Sequence, residues 1–254
     1  MAVLQGQVIL NTRPAHQQAE LSALLEQAGA RVLSFPVIEI RPATKPPEAM
    51  DPSAYHILLF VSRNAVDGAF NLLDRAGLAA VARFGVIGTA TGAALIEQIG
   101  DPGDRLISSE PFNSEALLAA DALQQVAGKR VLILRGQEGR NLLGDELVAR
   151  GARVDYLEVY RRVLPARDPA AFDQLVEAAF PTLVILTSNE GMTNLFQLVD
   201  AAAAERLRQI PWLLISERMR ESALKLGHNA PIIIARSASD SGIQQTVCAW
   251  AEQQ

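Results

Sequence analysis

The chain contains three tyrosines. One of them, Tyr160, stands in a long extended run from Asp155 to Arg162. A phenol is protonated at neutral pH and can give its proton to a departing oxygen, which makes Tyr160 a candidate general acid. The alternative is a half-buried strand tyrosine with its hydroxyl in water. Arg13 and Arg135 each follow an apolar run, and a guanidinium can hold a carboxylate with two parallel hydrogen bonds. A surface ion pair is the alternative for both. Hydroxyl, amide and small residues mark the ends of the other apolar runs: Ser62 and Asn64; Gly88, Thr89 and Thr91; Ser108, Ser109, Asn113 and Ser114; Thr187, Ser188 and Asn189; Ser216; Ser237, Ser239 and Ser241. Each alone is an ordinary helix N-cap worth ~1 kcal/mol. Together they favour an anionic ligand with many oxygens, held where helix N-termini point N–H groups outward.

Those residues need strands to end beside them. Short apolar runs alternate with stretches of helical period. The expected strands are Val8-Ile9-Leu10, 31–35, 56–61, 84–87, 104–107, 130–134, 153–159, 182–187, 212–215 and 231–234. The expected helices are 15–28, 64–75, 90–99, 114–126, 140–150, 169–179, 189–199, 217–226 and 240–252, with Gly77, Gly100, Gly151 and Gly227 at helix ends. This alternation predicts an α/β protein with parallel sheets and helices on both faces.

The chain also repeats itself. Gly29-Ala30-Arg31-Val32 recurs as Gly151-Ala152-Arg153-Val154, and the same offset takes Gly6 to Gly128 and Arg13 to Arg135. Leu58 to Asn64 resembles Leu183 to Asn189 more loosely. Two similar α/β domains account for this; a single domain does not. Prolines 42, 46 and 47 follow the long extended segment of the first copy, and Pro165 and Pro169 that of the second. These segments are the expected crossings between domains.

Composition excludes several classes. A hydrophobic content of 49% excludes disorder as the main state. With 28 acidic against 23 basic residues and a net charge of −5, no basic excess points to nucleic acid or an anionic membrane. Cys248 is the one cysteine, and His16, His56 and His228 lie far apart, so neither a disulfide framework nor a metal site is expected. No apolar run approaches a membrane span and no export signal opens the chain, so a cytoplasmic location is expected. GxGxxG, GxxxxGK[ST] and GxSxG are all missing, which leaves dinucleotide, nucleotide and serine-hydrolase readings without support.

In order and spacing the chain resembles the uroporphyrinogen-III synthase family along essentially its whole length. The resemblance is carried by Thr12-Arg13-Pro14, Phe35-Pro36 with Ile38, Phe60 to Val66, Val86 to Thr91, Asn113 to Leu118, Leu134-Arg135-Gly136, Val159-Tyr160 and Thr187-Ser188. It implies two flavodoxin-like, doubly wound parallel-sheet domains joined by a two-stranded antiparallel crossing. Residues 1–36 with 166–254 would form the first domain, 41–160 the second, and 37–40 and 161–165 the crossings. It implies a cofactor-independent, metal-free lyase of haem biosynthesis that cyclises hydroxymethylbilane, a linear tetrapyrrole rich in carboxylates, into uroporphyrinogen III. It would make Tyr160 catalytic and match the family's binding residues with Ser62, Thr91 and a serine at or beside Ser188; the strand-end reading adds Arg13, Asn64, Thr89, Ser114, Arg135 and Asn189 as expected substrate-binding residues. A monomer that transiently meets the preceding pathway enzyme, and closes about a hinge, is also implied. One departure stands out: where many members have a glycine–proline–threonine turn, this chain has Ser216-Glu217-Arg218-Met219. A non-catalytic two-domain sensor for a small polyanion would share the polar strand ends without needing the tyrosine.

Overall fold

The computed structural model describes residues 2–44, 50–107, 113–137, 139–168 and 170–254. Pro46, Pro47, Ser108, Ser109 and Pro169 lie outside them. The chain divides into two compact units, Met1–Glu39 with Val163–Gln254, and Ile40–Arg162.

In chain order the elements are β1 (Val8–Asn11), α1 (Ala19–Gln27), β2 (Arg31–Ser34), β3 (Glu39–Pro42), β4 (Ile57–Phe60), α2 (Arg63–Leu72), α3 (Arg75–Ala79) and β5 (Arg83–Val86). There follow α4 (Thr89–Ile99), β6 (Leu106–Ile107), α5 (Ser114–Ala119), β7 (Arg130–Gly136), α6 (Leu142–Ala149), β8 (Arg153–Val163) and α7 (Ala171–Val176). The last are β9 (Leu183–Leu186), α8 (Asn189–Leu198), α9 (Ala201–Arg208), β10 (Trp212–Leu214), α10 (Arg218–Lys225), β11 (Ile232–Ile234) and α11 (Asp240–Ala251).

The strands form two sheets, β11-β10-β9-β1-β2 and β3-β8-β7-β4-β5-β6. All four pairings of the first sheet are parallel, as are those from β8 to β6 in the second. The orders explain the repeat. The pair β1–β2 in the first sheet corresponds to β7–β8 in the second, and each Gly-Ala-Arg-Val copy opens the second strand of its pair. Gly29 (φ +100°) and Gly151 (φ +84°) supply the left-handed turn that precedes each. In each sheet that pair comes from one copy of the repeat, and the strands beside it, β9-β10-β11 in the first sheet and β4-β5-β6 in the second, come from the other.

Both faces of the second sheet are covered. Leu58 and Phe60 pack with Ala65, Val66 and Ala69 of α2 and Leu95 of α4. Ile57 and Leu59 pack on the other side, with Leu117 of α5 and Leu147 of α6. Successive strand residues face opposite ways, so a strand buried on both faces is continuously apolar.

Some expected boundaries change. The helix foreseen over 114–126 stops at Ala119, because Ala120 is extended (φ −62°, ψ 135°) before a 3₁₀ turn at Asp121–Leu123. That turn buries Leu123 beside Leu117, and the Arg150 guanidinium donates to the freed Leu118 and Leu123 carbonyls at 2.7 and 3.0 Å. The helix foreseen over 15–28 opens as a 3₁₀ turn, because the Gln18 amide donates to Asn11 O and Arg13 O (3.1 and 2.6 Å). Gly77 does not end a helix but lies inside α3, which Asp74 caps through Gly77 N–H. The strand foreseen at 104–107 shortens to Leu106–Ile107 behind a 3₁₀ turn. Helix α9, a run of alanines with no apolar stripe to announce it, is capped by Asp200.

Candidate active site

Strand β4 delivers the chain to Ser62, whose extended backbone (φ −165°) starts α2 and whose Oγ accepts from Ala65 N–H at 3.2 Å. Strand β8 carries Tyr160, buried at 5% exposure. The two hydroxyls lie 3.1 Å apart, and either can donate. Ser62 Oγ has two lone pairs, so it can keep the helix cap while pairing with the phenol. Pro42, Ala43, Thr44, Gln137, Glu158 and Arg161 line a depression of about 390 Å³ together with Tyr160.

The other expected residues of this unit stand at neighbouring strand ends. Asn64 is buried in the first turn of α2. Thr89 opens α4, exposed, after Gly88 at φ +99°. Thr91 is buried, and its hydroxyl donates to Ile87 O at 2.6 Å. Ser114 opens α5, capped by Asn113 through Ala116 N–H at 2.7 Å. Arg135 is held internally: Nη1 donates to Gly139 O (3.0 Å) and Asn141 Oδ1 (2.9 Å), while Nη2 lies 3.5 Å from Glu158 Oε1.

Three expected residues belong to the other unit. Ser188 caps α8 through Gly191 N–H at 2.9 Å, repeating the geometry of Ser62. Asn189 follows it, exposed, as the first residue of α8. Arg13 forms an ion pair with Asp240 at the start of α11. The divergent turn keeps its charge occupied too. Glu217 pairs with Arg220, one contact being 3.3 Å, and this hydrogen-bonded guanidinium holds the carboxyl below its usual range.

Gln137, Glu158 and Arg161 were not foreseen beside Tyr160. They sit at the junction of β7 and β8, a pairing without a local sequence signal. Among the described residues, no three His, Cys, Asp or Glu side chains are grouped to hold a metal ion, and no helix is long and apolar enough to cross a membrane.

Parallel sheets with hydroxyls at their strand ends define a protein of the α/β class. The chain belongs to the uroporphyrinogen-III synthase family, whose model, described as uroporphyrinogen-III synthase HemD, matches residues 19–244. The uroporphyrinogen-III synthases of Escherichia coli and Salmonella typhimurium are each 35% identical to it over 230 residues, spanning 86% of this chain and 91% of theirs. The crystal structure of uroporphyrinogen-III synthetase from Helicobacter pylori superposes with a TM-score of 0.66 at 15% identity, covering 96% of this chain and 99% of that one. A mutant uroporphyrinogen III synthase from Thermus thermophilus gives 0.56 at 19% identity. These two structures share the fold.

Proposed function

We propose that this chain cyclises hydroxymethylbilane to uroporphyrinogen III with inversion of ring D and loss of water, each unit a flavodoxin-like, doubly wound sheet with 37–40 and 161–165 as the crossings. The observation that carries the reading is the Tyr160–Ser62 pair, two hydroxyls 3.1 Å apart with the serine anchored on the first turn of a helix. The terminal hydroxymethyl group departs as water once its oxygen is protonated, leaving an electrophilic azafulvene. The last ring attacks through its already substituted carbon, giving a spiro intermediate that fragments and recloses with that ring inverted, and the proton released from the ring's free α-carbon on reclosure restores the one given to the departing water.

Tyr160 supplies the proton to the departing oxygen. As its phenolate charge grows, Ser62 donates to it, and Ala65 N–H at the positive end of α2 supports the serine oxygen. General-acid help of this kind contributes ~10²–10⁴-fold. Spontaneous closure gives the uninverted isomer, so holding both ends of a flexible chain matters as much as proton supply. Asn64, Thr89, Ser114, Ser188 and Asn189 stand where helix starts can receive substrate carboxylates. Arg13, Thr91 and Arg135, which have internal partners, shape the strand ends around them.

The test is incubation with freshly made hydroxymethylbilane, then oxidation and chromatographic separation of isomers. The native chain yields the type III isomer above spontaneous type I, and Tyr160→Phe forms it more slowly with its fold intact. Type I alone from the native chain overturns the reading; an unchanged rate in Tyr160→Phe removes the tyrosine from it.

A further inference from the structure

Strand β8 carries one residue more than β7 beside it. Arg135 pairs with Glu158 and Gly136 with Tyr160, so the register shifts and Val159 is the extra residue. The shift changes which way the chain faces. Val154 and Tyr156 pack with Ile57 and Leu59 on one side of the sheet. Leu157 and Val159 pack with Leu58 and Phe60 on the other. Regular alternation returns residue 160 to the side of Tyr156. Instead Tyr160 follows Val159 into the same core, and there its hydroxyl meets Ser62.

Two glycines make room for this. A Cβ on Gly136 would stand 2.7 Å from Cε2 and Cζ of Tyr160 and 3.0 Å from its hydroxyl. A Cβ on Gly68, in α2, would stand 2.7 Å from the Val159 carbonyl oxygen and 3.0 Å from its side chain. That carbonyl is already engaged by Ala43 N–H at 3.0 Å, and the Tyr160 carbonyl by Gln137 N–H at 2.9 Å, so the bulge cannot retreat without losing hydrogen bonds. Neither glycine is among those with a left-handed φ. Alanine therefore suits the backbone at both positions, and close approach alone calls for glycine.

We propose that Gly136 and Gly68 are positioning residues for Tyr160, cradling the bulge that turns its phenol onto Ser62. The proposal rests on the reading of Tyr160 as proton donor. A bulge beside an active site commonly re-aims a side chain in this way. With a methyl group at position 136 the buried ring is what must give, and the phenol leaves Ser62.

The experiment combines kinetics with ring-¹³C tyrosine labelling, in which loss of one signal in Tyr160→Phe assigns Tyr160. In Gly136→Ala the Tyr160 signal shifts while that of Tyr55 stays. kcat falls at least ~10-fold with KM within ~2-fold, and in a Tyr160→Phe background the same substitution changes kcat by less than ~2-fold. Gly68→Ala moves the same signal and the same rate. An unmoved Tyr160 signal, or a loss that adds fully to that of Tyr160→Phe, overturns the proposal. Should Gly136→Ala not fold, adding Tyr160→Leu restores folding, since the ring is what the methyl group meets; failure of that rescue overturns the proposal too. A native rate in Tyr160→Phe alone condemns the proton-donor reading, and the ring signal still decides the positioning.

Discussion

The Arg135 guanidinium lies 4.1 Å over the ring of Tyr156, and its Nη1 ties Gly139 O and Asn141 Oδ1 to the end of β7. One side chain thus closes the turn that leads into α6. Arg135→Ala is expected to cost ~1–3 kcal/mol, combining a partly buried cation–π contact with hydrogen bonds from a charged donor. Urea unfolding checks it through a lowered midpoint at constant slope. Burial raises the pKa of Tyr156, and the charge of Arg135 opposes that rise. Alkaline absorbance titration of the variant should accordingly show this tyrosine ionising at still higher pH.

Ser62 and Ser188 make the same cap in the two units, each accepting from the amide three residues on. Replacement by alanine costs ~0.5–2 kcal/mol at either site, and replacement by glycine only a few tenths. Thermal denaturation of the four variants measures this. Ser62→Ala also strips Tyr160 of its partner and slows formation of the type III isomer beyond what its stability loss explains. A normal rate in that variant at full folding would detach the serine from the chemistry.

His228 stacks on Trp212 with ring centroids 4.0 Å apart and is 3% exposed. Neither ring nitrogen has a hydrogen-bond partner among the described residues. Burial pushes its pKa below the usual value, and the backbone of Pro231 and Ala230, outside hydrogen-bonding geometry, offsets only part of that. The unfolded chain therefore binds the proton more readily than the folded one. Stability from this site is complete above the ordinary histidine range, near 6.5, and is lost as pH falls through that value toward the lower folded pKa. Comparing urea midpoints at mildly acidic and neutral pH, His228→Phe should keep the stack and flatten this dependence.

Arg13 and Asp240 pair with side chains 15% and 16% exposed. Arg13→Gln leaves the carboxylate partly buried, although its place on the first turn of α11 lets the helix dipole support it. A net loss of ~1–2 kcal/mol is expected. A double-mutant cycle with Asp240→Asn should return a coupling of similar size, and independent losses would show that the pair contributes nothing.

Much of the architecture is legible in the residues because it rests on local signals. Runs such as Ile57–Phe60 and Leu183–Leu186 are apolar at every position, as strands covered on both faces must be. Helix α1 carries Ala19, Leu21, Leu24 and Leu25 at helical spacing, whereas α9 carries mostly alanine and charge and α3 hides behind Gly77. The strand-end serines are legible as caps. That one cap serine meets a tyrosine 98 positions away in the chain is not.

The amino-acid order by itself determined an α/β protein, a duplication marked by Gly-Ala-Arg-Val, polar strand ends and a tyrosine in the second long extended run, because periodicity, capping and turns act over a few residues. Only the tertiary structure decided that β7–β8 joins β4, and that Val159 is one residue too many opposite Gly136. Strand pairing satisfies backbone groups that are chemically identical at every residue, so nothing in side-chain type announces the partner. A single-residue slip then sends Tyr160 to the opposite face with no change in composition.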